Sequence, residues 1–326
     1  MKKLLVLMVA LLLALTACAE KGADQEAGED TSNNKEQITV EHALGTATFD
    51  EVPKNIVVLE WNYVEQLLAL GIQPVGVADI DGFEKWVDIE AELNDDVIDV
   101  GTRTEPNLEE IAKLEPDAII TSATNHEKIQ ADLEKIAPTV FYNSTSEEAT
   151  KNLYAHTLTT FKKTASLVQK EDEAEQAIND LDAKYEDAAK EIEAMDLPTK
   201  QFVFTQAFSS NNTPSFRLFT KNSMVSNVLE NVGLENSITD NQDAPWGFTD
   251  ANVEGLAKYE DAMFIHAVQE DDPLFENLEK NKAWNELQFV KENNMVDIGG
   301  DTWTFGGVLS AHTLVDNLLE ALEEAQ

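Results

Sequence analysis

The sequence predicts an α/β protein of two lobes with mostly parallel sheets, joined by a helix. Three observations carry this. Short apolar runs alternate with helical patterns of about 10 to 15 residues, the signature of strands packed under helices. A stretch between Pro138 and Pro198 holds neither proline nor glycine and divides two such regions. A helix start also recurs, as NLEEIAKLE at 107–115 and NVEGLAKYE at 252–260, within segments that align without a gap across 14 residues.

In chain order, IVVLE at 56–60 reads as a strand, followed by a helix that ends at Gly71 and a strand that begins after Pro74. VIDVG at 97–101 is a strand, Pro106 and Asn107 open a helix, and AIITS at 118–122 is the next strand. A helix from about His126 to Ile136 and the strand TVFYN at 139–143 complete the first lobe, expected over 38–144. Ala149, Leu153, Thr157, Phe161, Ala165 and Val168 then share one helical face, and Ala174, Ile178, Leu181, Tyr185, Ala188, Ile192 and Met195 another. Two long helices, or one broken near Lys170 to Asp172, fit this pattern. The connecting helix is expected over 145–170 and the second lobe over 171–326, with strands at FVFTQAF, AMFIHAV and MVDIG and a helix from Ser223 to Val232.

Residues 1–17 combine a basic start, an apolar run and a small-residue end, so they read as an export signal. Their apolar run is too short to span a bilayer. Leu15, Thr16, Ala17 and Cys18 resemble a lipobox, which makes Cys18 the expected lipidation site. Residues 18–37 are polar and acidic, as a flexible tether to a membrane would be. Cys18 is the sole cysteine, which excludes an intrachain disulfide.

The formal charge of the 326-residue chain is −39, and loss of Lys2 and Lys3 with the leader brings it to −41. Such a chain does not bind nucleic acid electrostatically. Only two of its 23 basic residues are arginine, Arg103 and Arg217. Arginine is needed where a planar, permanently charged, forked donor must act; surface placement is the plainer alternative. No nucleophile elbow, P-loop, HExxH or GxGxxG motif is present, and the five histidines lack metal-ligand spacing. Binding is therefore preferred to hydrolysis. Tryptophans point the same way. Trp61 follows the strand VVLE, Trp86 lies in DGFEKWV, Trp246 in APWGFT and Trp303 in DTWTFGG, in loops where open α/β sheets take their ligands. Trp284 reads as a packing residue.

The segments IVVLEWNYVEQLLALGIQPVGVADIDGFEKWV, VIDVGTRTEPNLEEIAKLEPD, PWGFTDANVEGLAKYED and TWTFGGVLSA resemble the substrate-binding proteins of bacterial ferric-siderophore ABC importers, with most likeness to the ferric-hydroxamate binders. The resemblance implies two Rossmann-like lobes bridged by a long rigid helix, and a shallow ligand cleft. It implies that Arg103 hydrogen-bonds iron-bearing hydroxamate oxygens, that Trp86, Trp246 and Trp303 wall the cleft with Phe305, and that Arg217 is a second polar contact. Asn125 and His126 stand near the place of a tyrosine that some hydroxamate binders use. It further implies that Glu109 and Glu254, one on each lobe, dock onto permease arginines, and that the protein is a monomer lipid-anchored on the outer face of the cytoplasmic membrane. Neither a cofactor nor a protein ligand to iron is expected, because the siderophore saturates the metal. A tris-hydroxamate complex is near neutral, whereas a tris-catecholate is trianionic and is repelled by this chain, though salt screens that repulsion beyond roughly 8 to 10 Å. Ferric citrate or a citrate-hydroxamate siderophore is the alternative, ahead of catecholate, heme or cobalamin.

Overall fold

The computed structural model describes residues 37–325 except 212, 241 and 242. The expected leader, Cys18 and all of the expected tether except Gln37 lie outside the described residues.

Two sheets organise the chain. The first has five parallel strands in the order Ile98–Asp99, Gly76–Val77, Ile56–Val58, Ala118–Ser122, Thr139–Tyr142. The central strands are apolar because both faces are covered, with Ile56, Val57, Val58, Ile119 and Ile120 wholly buried, while the edge strand Ile98–Asp99 is exposed. Glycine and asparagine mark the helix ends as the sequence predicts. The helix Trp61–Ala69 stops before Gly71, which takes φ +72°, and Leu108–Lys113 starts at Asn107, whose side chain accepts from the N–H groups of Glu109 and Glu110. The helix expected from His126 to Ile136 is instead short turns over Ala123–His126, Glu127–Ile129 and Gln130–Leu133. An antiparallel hairpin, Ile38–His42 with Gly45–Phe49, flanks this sheet, and Ala43 N–H donates to Phe141 O.

The second sheet is mixed, with three parallel and two antiparallel pairings. Gln201–Ser210 pairs in parallel with Met263–Ala267 and Glu235–Asn236, and Met263–Ala267 with Met295–Asp297. On its other side Gln201–Ser210 forms a long hairpin with Thr213–Phe219, which pairs antiparallel with Phe248–Ala251. The hairpin turns at Asn211, whose φ of 51° is a conformation asparagine tolerates. The repeated helix start also differs between lobes. Its second copy is a 3₁₀ helix, Val253–Tyr259, capped by Asn252, with Gly255 standing where the first copy has Glu110. Glycine is a poor helix former, which weakens the α form here.

Between the sheets the chain forms two helices, Leu153–Leu167 and Glu171–Ala194, broken at Gln169 with φ 54°. A last helix, Val308–Glu324, packs on Glu171–Ala194 and on Trp61–Ala69. One apolar core runs through both sheets' inner faces and these helices, from Ile56 and Leu67 through Phe161 and Tyr185 to Phe204, Val308 and Leu314. Glu65 is sealed in it. Its carboxylate accepts from Gly307 N–H at 2.8 Å, Ser310 N–H at 2.9 Å and the Ser310 hydroxyl at 2.6 Å, so a first-lobe side chain caps the last helix. Burial raises its pKa, and those hydrogen bonds from Ser310 and Gly307 oppose the rise.

Candidate functional site

The strand order of the first sheet reverses direction between Ile56–Val58 and Ala118–Ser122, which opens a crevice beyond their carboxyl ends. Glu60 and Asn62 lie just past the first of these strands, and Asn125 just past the second. All three line a cavity of about 370 Å³. The facing wall comes from the second half of the chain: Arg217 on the hairpin strand, Trp246 and Phe248 beside it, and Trp303, Thr304 and Phe305 ahead of the last helix. A cavity of this size, with an aromatic wall on one side and polar groups converging from the other, suits a small ligand.

Arg103 reaches the cavity from the loop after Ile98–Asp99. Its Nε and Nη2 both donate to Glu60 Oε2, at 2.9 and 2.8 Å, while Asn125 Nδ2 donates to Glu60 Oε1. The guanidinium carbon stands 4.1 Å from the centre of the Trp61 ring. Glu60 is only 7% exposed in its side chain; burial raises its pKa, and the charge and hydrogen bonds of Arg103, with Asn125, pull it back. Arg217 has a different setting. Its Nη1 donates to Gln206 Oε1 at 2.9 Å, its guanidinium carbon lies 5.1 Å from the ring centres of both Phe208 and Phe248, and the charge of Asp250, its partner across the strand pair, acts on it. Burial lowers its pKa from the usual guanidinium value, but it remains a cation.

These two arginines end one ladder of rings. From Arg103 it runs through Trp61, Trp303 at 5.2 Å, Phe305 at 5.3 Å and Phe248 at 6.0 Å, to Arg217. The Trp303 indole nitrogen and the Thr304 hydroxyl are buried without a partner among the described residues, each a cost of about 1 to 3 kcal/mol that falls on the cavity wall.

Of the residues singled out in the sequence, Arg103, Arg217, Trp246, Trp303 and Phe305 line the cavity. Trp246 is 45% exposed at its rim. Trp61 and Trp86 are not among the residues that line it. Trp61 begins a helix, and its indole N–H is held by the carbonyls of Ala78 and Asp79, so its ring lies beneath Arg103. Trp86 sits at a seam, where the neighbouring Lys85 pairs with Asp271 at 3.2 Å and Asp88 N–H donates to Asp301 O. Glu109 and Glu254 are exposed in the first turns of their short helices, Glu109 with Lys113 at 3.3 Å. Trp284 is buried among Phe216, Phe264 and Phe289. Sequence reasoning missed Glu60, whose signal was a carboxylate closing the apolar run VVLE, and Phe248, whose strand was not foreseen.

Two α/β lobes sharing one aromatic cavity define a small-ligand binding protein of the two-lobed kind. The chain belongs to the periplasmic binding protein family, whose model matches residues 56–302. It is a binding protein and not an enzyme. It is 31% identical over 324 residues to the Fe(3+)-citrate-binding protein YfmC of Bacillus subtilis, covering 98% of this chain and 96% of that protein. It is 29% identical over 272 residues to the iron(3+)-hydroxamate-binding protein FhuD of Escherichia coli, covering 83% and 87%. Among solved structures it resembles the Fe3+–Desferal-bound siderophore-binding protein FhuD of Vibrio cholerae, with a TM-score of 0.74 and 29% identity, over 83% of this chain and 98% of that one.

Proposed function

We propose that this protein is an extracytoplasmic receptor that binds an iron(III)–hydroxamate siderophore in the cavity and delivers it to an ABC permease. The observation that carries the reading is the convergence of two arginines from the two halves of the chain on one aromatic cavity. Such a site offers hydrogen bonds to oxygens and apolar surface to a ligand's carbon frame. The relatives named for iron(III) hydroxamate and iron(III) citrate support the siderophore class. One observation favours the second reading, a citrate-containing ligand: Arg217 lines the cavity and its Nη1 is held by the neutral amide of Gln206.

Within this reading the ligand lies between Trp246, Trp303 and Phe305, Cys18 carries the lipid, and the protein works as a monomer at the outer face of the cytoplasmic membrane. Glu109 and Glu254 dock onto the two permease subunits, a role their exposure supports. The test is a titration of tryptophan fluorescence with iron(III)–Desferal, iron(III)–citrate, an iron(III) tris-catecholate, heme and cobalamin. Quenching by the Desferal complex at the lowest concentration is expected. Response to heme or cobalamin alone would overturn the assignment.

A further inference from the structure

Three of the cavity's lining residues carry charge: Glu60, Arg103 and Arg217. Glu60 and Arg103 cancel within a single pair at 2.8 Å. The carboxylate cannot turn away, since Arg103 holds one oxygen through two donors and Asn125 holds the other. Arg103 is equally fixed, because its Nε and one Nη2 hydrogen are committed and its flat face lies on Trp61. What remains toward a ligand is the far edge of the guanidinium, with the hydrogens of Nη1 and one of Nη2. A ligand oxygen bound there gains directional hydrogen bonds but sits within a few ångströms of a buried carboxylate. Water does little to screen that carboxylate, so its field acts on whatever charge the ligand brings. An uncharged iron complex meets no penalty. An anionic one meets repulsion from Glu60 that offsets the attraction of Arg103.

We propose that Glu60 is the specificity-determining residue of the cavity, which lets Arg103 act as a hydrogen-bond donor without net charge and so disfavours anionic ferric complexes. Selection by a built-in repulsive element is a general route to specificity, because it penalises the wrong partner more than the right one. The inference rests on the siderophore reading above and concerns which charge class that site admits.

The experiment measures dissociation constants of the folded protein for N-acetylated iron(III)–Desferal, whose tris-hydroxamate complex is uncharged, and for anionic iron(III)–citrate. It compares wild type, Glu60→Gln, Glu60→Asp and the double variant Glu60→Gln with Arg103→Gln. Glu60→Gln keeps shape and removes charge, and should raise the ratio of citrate to Desferal affinity at least tenfold. Glu60→Asp disturbs the pair's geometry but keeps the charge, and should leave the ratio within about threefold of wild type. The double variant removes both charges and should return the ratio toward wild type. If Glu60→Gln does not fold, Glu60→Ala removes the same charge and carries the same expectation. A Glu60→Gln ratio within twofold of wild type, with both affinities falling together, would make Glu60 a mere prop for Arg103 and overturn the proposal. Failure of wild type to bind either complex would instead overturn the siderophore reading.

Discussion

Replacing Glu65 separates two things its carboxylate provides, hydrogen-bond acceptance and charge. Glu65→Ala leaves the N–H groups of Gly307 and Ser310 buried with no acceptor, at about 1 to 3 kcal/mol each. Relief from burying a carboxylate offsets part of this, so a net loss of about 2 to 4 kcal/mol is expected, a large share of the roughly 5 to 15 kcal/mol that holds a typical domain folded. Glu65→Gln keeps an acceptor for both N–H groups, and the Ser310 hydroxyl can accept from the new amide, so the loss should stay under about 1 kcal/mol. The pH dependence provides a second arm. Burial raises the folded pKa of Glu65 above its ordinary value of 4.5, so the folded state holds its proton more tightly than the unfolded state. Its contribution is full below that value and is lost as pH rises through the folded pKa. The stability of wild type relative to Glu65→Gln should therefore fall as pH rises from about 4.5, then level off. Urea denaturation of the three proteins between pH 4.5 and 8 measures both arms. Equal midpoints for Glu65→Ala and wild type at every pH would refute the reasoning.

Arg103→Ala should weaken iron(III)–Desferal binding by roughly ten- to a hundredfold, the worth of a charge-assisted hydrogen bond of about 1.5 to 3 kcal/mol, with Arg103→Lys recovering only part; fluorescence titration reads this. Arg217→Ala should cost less for that ligand and more for iron(III)–citrate, since Arg217 is hydrogen-bonded to the neutral Gln206 amide whereas Arg103 is held against Glu60; the same titration decides. Glu109→Ala with Glu254→Ala should leave siderophore affinity within about twofold but strongly reduce uptake in cells that carry the matching permease, as followed with radiolabelled iron. Normal transport at equal surface abundance would return both residues to helix-start roles, worth about 0.3 to 1 kcal/mol each through the helix dipole.

Much of the fold is legible in the sequence because its signals are local. An asparagine cap, a glycine at positive φ and a short apolar run each act within a few residues, so Asn107, Gly71 and AIITS mark their elements directly. The hairpin strand carrying Arg217 was obscured because TPSFRLF has proline as its second residue, beside a turn, and no long apolar run. At the site, residue types were readable but their direction was not. Trp61 reads as a ligand platform until the carbonyls of Ala78 and Asp79 fix its nitrogen. Glu60 has no visible role until Arg103, 43 positions later, is brought onto it. Pairings across that distance depend on how the sheet closes, and no local pattern encodes them.

The link from Glu65 to Gly307 spans 242 positions, and its two ends are not made together. Synthesis at about 5 to 20 residues per second leaves the helix bearing Glu65 waiting roughly 12 to 50 s for the backbone donors that complete it. The same interval separates Leu67 from the Leu314 and Leu318 side chains that share its core. A product cut short before Gly307 leaves the Glu65 carboxylate without these donors and part of the apolar core uncovered, and exposed apolar surface makes such a chain prone to aggregate. The carboxylate and its donors thus meet only after most of the described residues have been made.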